Sequence, residues 1–307
     1  MTYKLLTYVL ILIPIGLYSQ QFEKVDTYVK SLQVDKNISL DELTDKLTNP
    51  FSKDVDKVRA IYYWIADNIE YDYVSYKNKI RISSEPEIVY TKRIAVCAGY
   101  SNLFSYMLDL IDIDNKVISG FARDELDTIF LKETNHAWNS IKLDNKWYLF
   151  DVTWARDTLN KTVNDFYFKT DPEIFILKHY PTDYKWTLLD TKYSQDDYMK
   201  FPVYTNLFFD LKFSDTPSKQ GFFQAVNDTV TIKIKPNFDC LILTKLYDTK
   251  QTEWLKSQRG DYIRGDDFIK LYIPRKGKFI LKLGALIQDG VSYTIYDEII
   301  YYTIENK

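Results

Sequence analysis

The chain carries two cysteines, Cys97 and Cys240, and two histidines, His136 and His179, so thiol–imidazole chemistry has few places to sit. Cys97 stands in Ile94–Phe104, IAVCAGYSNLF, directly before the small residues Ala98 and Gly99. Tyr100, Leu103, Phe104, Met107, Leu108 and Ile111 follow at intervals of three and four, the spacing of one helix face. Cys97 is therefore expected where a loop turns into a helix. The unbonded N–H groups of a helix start carry partial positive charge and favour an anion. A thiol held there is biased toward thiolate, the form that attacks carbonyl carbon. A cysteine is equally at home as a small buried hydrophobe, and this stretch alone leaves both readings open.

A base and an orienting group come from Asn135–Trp154, NHAWNSIKLDNKWYLFDVTW. Two alternating segments flank Asp144-Asn145, a hairpin signal. With the turn centred on that pair, Ile141 faces Tyr148, Asn139 faces Phe150 and Ala137 faces Val152. The other face then carries His136, Trp138, Trp147, Leu149, Asp151 and Thr153. His136 is diagonal to Asp151, about 7–8 Å away at the backbone and within side-chain reach. A shift of one residue would send Asp151 to the opposite face. In this register Cys97, His136 and Asp151 supply a nucleophile, a base for its proton and a carboxylate to hold the imidazolium. His179, in KHYP beside Pro181, shows no periodic carboxylate partner and reads as structural.

These segments resemble the transglutaminase-like superfamily of papain-like thiol enzymes. The matching pieces stand in family order: AVCAGYSNLF around Cys97, NHAWN around His136 and WYLFDVTW around Asp151. The helix-like DKVRAIYYWIADNIEYD before them and FYFKTDPEIFILKHYPTDYKWTLL after them resemble the kyphoscoliosis-peptidase branch. The resemblance covers about Leu43–Leu189. It implies a Cys-His-Asp triad on Cys97, His136 and Asp151 and a thioester intermediate. Separately, no cofactor and no metal are expected. It implies an α+β fold: a papain/transglutaminase-like domain whose Cys-bearing helix packs on an antiparallel sheet bearing His and Asp. Hydrolysis of a protein or peptide amide and cross-linking to an amine are both within the family. Hydrolysis is the preferred reading, because water needs no dedicated amine site. A catalytically idle binding or scaffold protein is the alternative. The Cys97 backbone N–H is a natural first oxyanion donor. A second donor is not assignable from Gln20, Gln21, Gln33, Trp64 or Trp138.

Several elements must position these residues. Ser39-Leu-Asp-Glu42 resembles a capping box opening a short helix. Asp54–Ile69 is apolar along one side through Val55, Val58, Ile61, Tyr62, Ile65 and Ile69. Tyr76–Glu87 is polar and loop-like, either a connector or the border of a substrate cleft, and Pro86 excludes a helix through it. Asn115–Phe121 reads as a strand and Arg123–Glu133 as a loop. The aromatic stretch Phe166–Trp186 suits either a cleft wall or a packed belt.

Beyond Tyr204 the pattern changes to β-like runs at Val230–Lys235, Cys240–Tyr247, Phe268–Pro274, Lys278–Ile287 and Tyr293–Ile304. Residues 204–307 are expected to form an immunoglobulin-like β-sandwich behind a catalytic domain at 20–195. The 26 Tyr and 18 Phe among 307 residues favour such strand-rich packing. Residues 1–19 read as a cleaved signal peptide, with Lys4 before an apolar run too short to favour an uncleaved anchor. Export to the periplasm or the extracellular space follows. Cys97–Cys240 is the sole internal disulfide option, and it would silence the nucleophile. Cys240, in FDCLILT, is expected to pack in a strand instead. A net charge of −3 without a long basic run argues against nucleic acid as a partner, and no segment after residue 19 is apolar enough to span a membrane. The oligomeric state has no signature in the sequence.

Overall fold

The computed structural model describes residues 22–35, 38–157, 162–255 and 268–307, so the expected leader at 1–19 lies outside the described residues. The chain divides into two compact units. The first comprises the chain to Val117 together with Ile141–Phe168, and the second Ile118–Ser140 with Lys169–Lys307. Helices dominate the first and strands the second, in keeping with the expected α+β class.

The first unit opens with α1 (Glu23–Ser31), α2 (Leu40–Thr48) and α3 (Asp54–Asn68). The capping box forms: Ser39 Oγ accepts from the Glu42 N–H at 3.1 Å, and Glu42 Oε2 accepts from the Ser39 N–H at 3.0 Å. Helix α3 is the centre of this unit. Every residue from Val58 to Ala66 is buried, and α1 and α2 pack against it. That run includes a charge. Arg59 is 1% exposed and reaches Asp26 through two hydrogen bonds, Nε to Oδ1 at 2.8 Å and Nη2 to Oδ2 at 2.7 Å. Its Nη2 also lies 2.6 Å from Asp165 Oδ1. The guanidinium rests among the rings of Phe22 and Phe168, 5.3 and 5.2 Å from their centroids. Burial disfavours its charge, but the bonds and charge of Asp26, helped by Asp165, more than offset this and hold the group protonated.

Next come β1 (Glu70–Tyr71), α4 (Tyr73–Lys77), α5 (Pro86–Lys92), β2 (Ile94–Ala95) and α6 (Cys97–Asp109). Pro86 takes the first position of α5, where its missing N–H is no loss. The 76–87 loop of the sequence reading is thus bracketed by two short helices. The chain leaves this unit along β3 (Asn115–Ala122) and returns along β4 (His136–Leu143) into β5 (Lys146–Phe150). Asp144 and Asn145, with φ of 50° and 62°, form the expected two-residue turn that sets Leu143 opposite Lys146. An antiparallel pair of two-residue strands follows, β6 (Arg156–Asp157) with β7 (Thr162–Val163).

Beyond β8 (Phe168–Thr170) the second unit holds α7 (Pro172–Phe175) and β9 (His179–Pro181), which is antiparallel to the end of β3. After α8 (Gln195–Met199) come β10 (Val203–Tyr204) and α9 (Asn206–Asp210). The strands that follow are β11 (Phe222–Gln224), β12 (Thr229–Lys233), β13 (Leu241–Asp248) and β14 (Glu253–Trp254). The last three are β15 (Phe268–Tyr272), β16 (Gly277–Asp289) and β17 (Ser292–Asn306). The order β10–β17–β16–β13–β14 is antiparallel, and β11 lies parallel to β17. Strands β12 and β15 pair separately. Alternate residues of β12, β13 and β15 are buried, as period-2 side-chain direction requires. Val230, Ile232, Ile269 and Leu271 from the pair join Ile242, Leu246, Phe279 and Leu281 in one hydrophobic cluster. Among the described residues, no helix is long and apolar enough to cross a membrane.

Arg59→Ala strands two carboxylates beside a buried aromatic box. Its unfolding free energy, measured in urea, is expected to fall by about 3 kcal/mol. A loss below about 1 kcal/mol would show that the ion pair does not hold α1 to α3.

Candidate functional site

Cys97 is the first residue of α6, as its sequence context suggests, and it is 9% exposed. Val96 stands at the N-cap, and no side chain caps it. The Gly99 and Tyr100 N–H groups bond to the Val96 carbonyl, which closes the first turn of α6. The helix start is pinned from both sides. Strand β2 pairs in parallel with β1, Ile94 opposite Glu70 and Ala95 opposite Tyr71. The Glu70 N–H donates to Arg93 O at 2.8 Å and the Asp72 N–H to Ala95 O at 2.9 Å. Arg93, in the left-handed region at φ 57°, stacks its guanidinium on Trp64 and Tyr90, 4.5 and 4.3 Å from their centroids. A Cβ on Gly99 would meet Ala95 Cβ at 2.7 Å and Val89 Cγ2 at 3.0 Å, so only glycine lets this turn approach so closely. Both cysteines are thiols rather than half-cystines, and burial pushes the Cys240 thiol up to about 11.

Asp151 lies in the same unit as Cys97 and is fully buried. The structure corrects its local setting. Strand β5 ends at Phe150, and residues 152–155 turn rather than continue the strand to Thr153. The cause is Asp151 itself. Its Oδ1 accepts from the N–H groups of Thr153 at 2.9 Å and Trp154 at 3.1 Å, a local bonding pattern that competes with a ladder. Its own N–H donates to Tyr167 O at 3.0 Å. The carboxylate is therefore held in place by the turn it makes.

His136 and His179 belong to the second unit, both buried. His136 begins β4. The Asn135 side chain before it brackets Ala122, accepting from its N–H at 2.8 Å and donating to its carbonyl at 2.9 Å. The His136 ring stacks on Trp138, centroids 6.2 Å apart. His179 lies 5.6 Å from His136 and stacks on Phe175 at 4.0 Å. The sequence reading left His179 without a neighbour of interest, because the β3–β9 pairing that brings it close is non-local. In the stretch 166–186, Tyr167, Phe168 and Phe175 are buried, at 1%, 8% and 3% exposed. Of the candidate donors, Trp64 sits in the α3 core against Tyr90 and Arg93, and Trp138 is buried with its Nε1 unbonded among the described residues.

Two substitutions test these supports. A Cβ on Gly120 would fall on the Tyr180 carbonyl and the Trp138 ring. Gly120→Ala is expected to cost about 2 kcal/mol in chemical unfolding; a neutral result would mean that the strand yields freely. Asp151→Asn keeps an acceptor for the turn, whereas Asp151→Ala does not. The alanine variant should be less stable than the asparagine variant by about 1 kcal/mol, and equal midpoints would contradict the capping role.

Residues 41–152 match the family model described as the Transglutaminase-like superfamily. Kyphoscoliosis peptidase of Homo sapiens is 29% identical, covering 93% of this chain and 43% of the relative. The Mus musculus protein of that name is 28% identical over 92% of this chain and 43% of its own. The Lim and transglutaminase domain protein ltd-1 of Caenorhabditis elegans is 25% identical over 75% and 35%. This chain thus spans less than half the length of these curated relatives. A solved TGase crystal structure overlaps 46% of this chain and 35% of its own, at 19% identity and a TM-score of 0.30. Residues 41–152, which include Cys97, His136 and Asp151, are thus the part of this chain that is similar to the Transglutaminase-like superfamily.

Proposed function

We propose that the protein is an exported thiol enzyme that acts on protein or peptide amides through Cys97, His136 and Asp151. The observation that carries this reading is Cys97 at the start of α6, with no side chain capping the helix in front of it. In this mechanism His136 takes the Cys97 proton and leaves a thiolate–imidazolium pair. Asp151, fixed by its turn, orients the ring and balances its charge. The thiolate adds to the amide carbon and the carbonyl electrons move to oxygen. Collapse expels the amine, which takes its proton from His136, and a thioester remains on Cys97. Water then releases a carboxylate, or an amine forms a new amide. Hydrolysis is the preferred outcome, since water needs no dedicated site. No cofactor or metal enters this scheme.

The domain boundaries in this reading are a leader at 1–19, a catalytic domain at 20–195 and a β-sandwich of immunoglobulin type at 204–307. The sandwich reading is supported by the hydrophobic cluster shared by β12, β13, β15 and β16. Location in the periplasm or outside the cell follows from the leader.

Unfolded casein is a suitable first substrate, with and without a primary amine probe such as dansylcadaverine. The expected result is cleavage without the probe that falls by about a thousandfold or more in Cys97→Ala. Probe incorporation without cleavage would favour cross-linking. Neither product, from protein whose Cys97 shows no enhanced reactivity, would favour the scaffold alternative.

A further inference from the structure

Acyl transfer at Cys97 needs a second donor for the oxyanion, and the first unit holds one that the motifs do not single out. Tyr71 is the last residue of β1, opposite Ala95, two positions before Cys97. Its backbone is locked on both sides. The Glu70 N–H bonds to Arg93 O, and the Asp72 N–H to Ala95 O. Asp72 also caps α4, its two carboxylate oxygens accepting from the Ser75 N–H at 2.8 Å and the Ser75 hydroxyl at 2.7 Å. The half-buried ring is fixed too, 6.3 Å from the Tyr100 ring and 6.0 Å from that of Tyr76. Yet the Tyr71 hydroxyl makes no hydrogen bond among the described residues, unlike Tyr100, whose hydroxyl donates to Ile69 O at 2.6 Å. Burial, and then the nearby Cys97, Tyr76 and Asp151, keep the phenol protonated well above its ordinary range. It is thus a donor at any physiological pH, preorganised and unspent, within electrostatic reach of Cys97.

We propose that the Tyr71 hydroxyl is the second oxyanion donor of the Cys97 centre, a role that rests on Cys97 being the nucleophile. As the Cys97 sulfur bonds to the carbonyl carbon, the C=O π pair becomes a lone pair on oxygen. That oxygen accepts from the Tyr71 O–H and from the Cys97 N–H at the start of α6. No proton leaves Tyr71. When the intermediate collapses, the lone pair re-forms C=O as the C–N bond breaks, and the two hydrogen bonds weaken. The contribution is confined to steps that build charge on oxygen.

That confinement gives the test. Iodoacetamide alkylates Cys97 by displacement at saturated carbon, with no oxyanion. p-Nitrophenyl acetate acylates it through a tetrahedral oxyanion. Both rates are measured on wild type and on Tyr71→Phe, which keeps the ring contacts, with Cys97→Ala to subtract other thiols and amines. The melting temperature should be unchanged. The ester rate is expected to fall by about tenfold or more, and the iodoacetamide rate to hold within about twofold. Two unchanged rates would overturn the proposal. So would equal losses in both, which would make Tyr71 a partner of the thiol itself. Wild-type Cys97 that alkylates normally but accepts no acyl group would remove the nucleophile reading, and the proposal with it.

Discussion

Two residues of parallel backbone pairing hold the segment that carries Cys97. Glu70–Tyr71 lies against Ile94–Ala95, tying the end of the buried helix α3 to the start of α6. The intervening loop and two short helices are closed by this contact. Without it, ordering the start of α6 would carry the full entropy of a loop of more than 20 residues. With it, the first turn of α6 is placed relative to the most buried helix of the unit. Arg93 in its left-handed conformation and the missing Cβ of Gly99 are what this close approach requires. Arg59 and its carboxylates stabilise α3 from the other side, so a charge network and a backbone pair serve the same helix.

The proposed chemistry asks different things of each group. Cys97 needs positive potential, and a helix start supplies it without a competing cap. Asp151 needs a fixed carboxylate, and two backbone N–H groups hold it in place. His136 needs a fixed ring plane. Trp138 and His179 set it by contact, and Asn135 fixes the entry of its strand. These supports are rigid and mostly buried. An acyl-transfer site gains from that, because little reorganisation remains when charge develops.

Much of this was legible in the residues. The start of α6 followed from apolar spacing and small neighbours, and the Asp144-Asn145 turn from two residues suited to positive φ. The C-terminal strands were legible through alternation, with ends off by one or two residues. What failed was non-local or competitive. WYLFDVTW alternates past Phe150, but Asp151 prefers its own turn, and alternation cannot register that preference. Strand β1 is two residues long, too short for any period, so Tyr71 gave no signal of its pairing with Ala95. The pairing of β12 with β15, which skips β13, has no local sequence mark either.

The most direct measurement is the pH dependence of iodoacetamide labelling at Cys97, in wild type beside His136→Ala. The account requires a thiolate–imidazolium pair, so wild type should label well below the free-thiol midpoint of about 8.5, and His136→Ala should return the midpoint to that range. Coincident profiles with an unshifted midpoint would mean that no ion pair forms, and Cys97 would then be a buried thiol in an inherited fold.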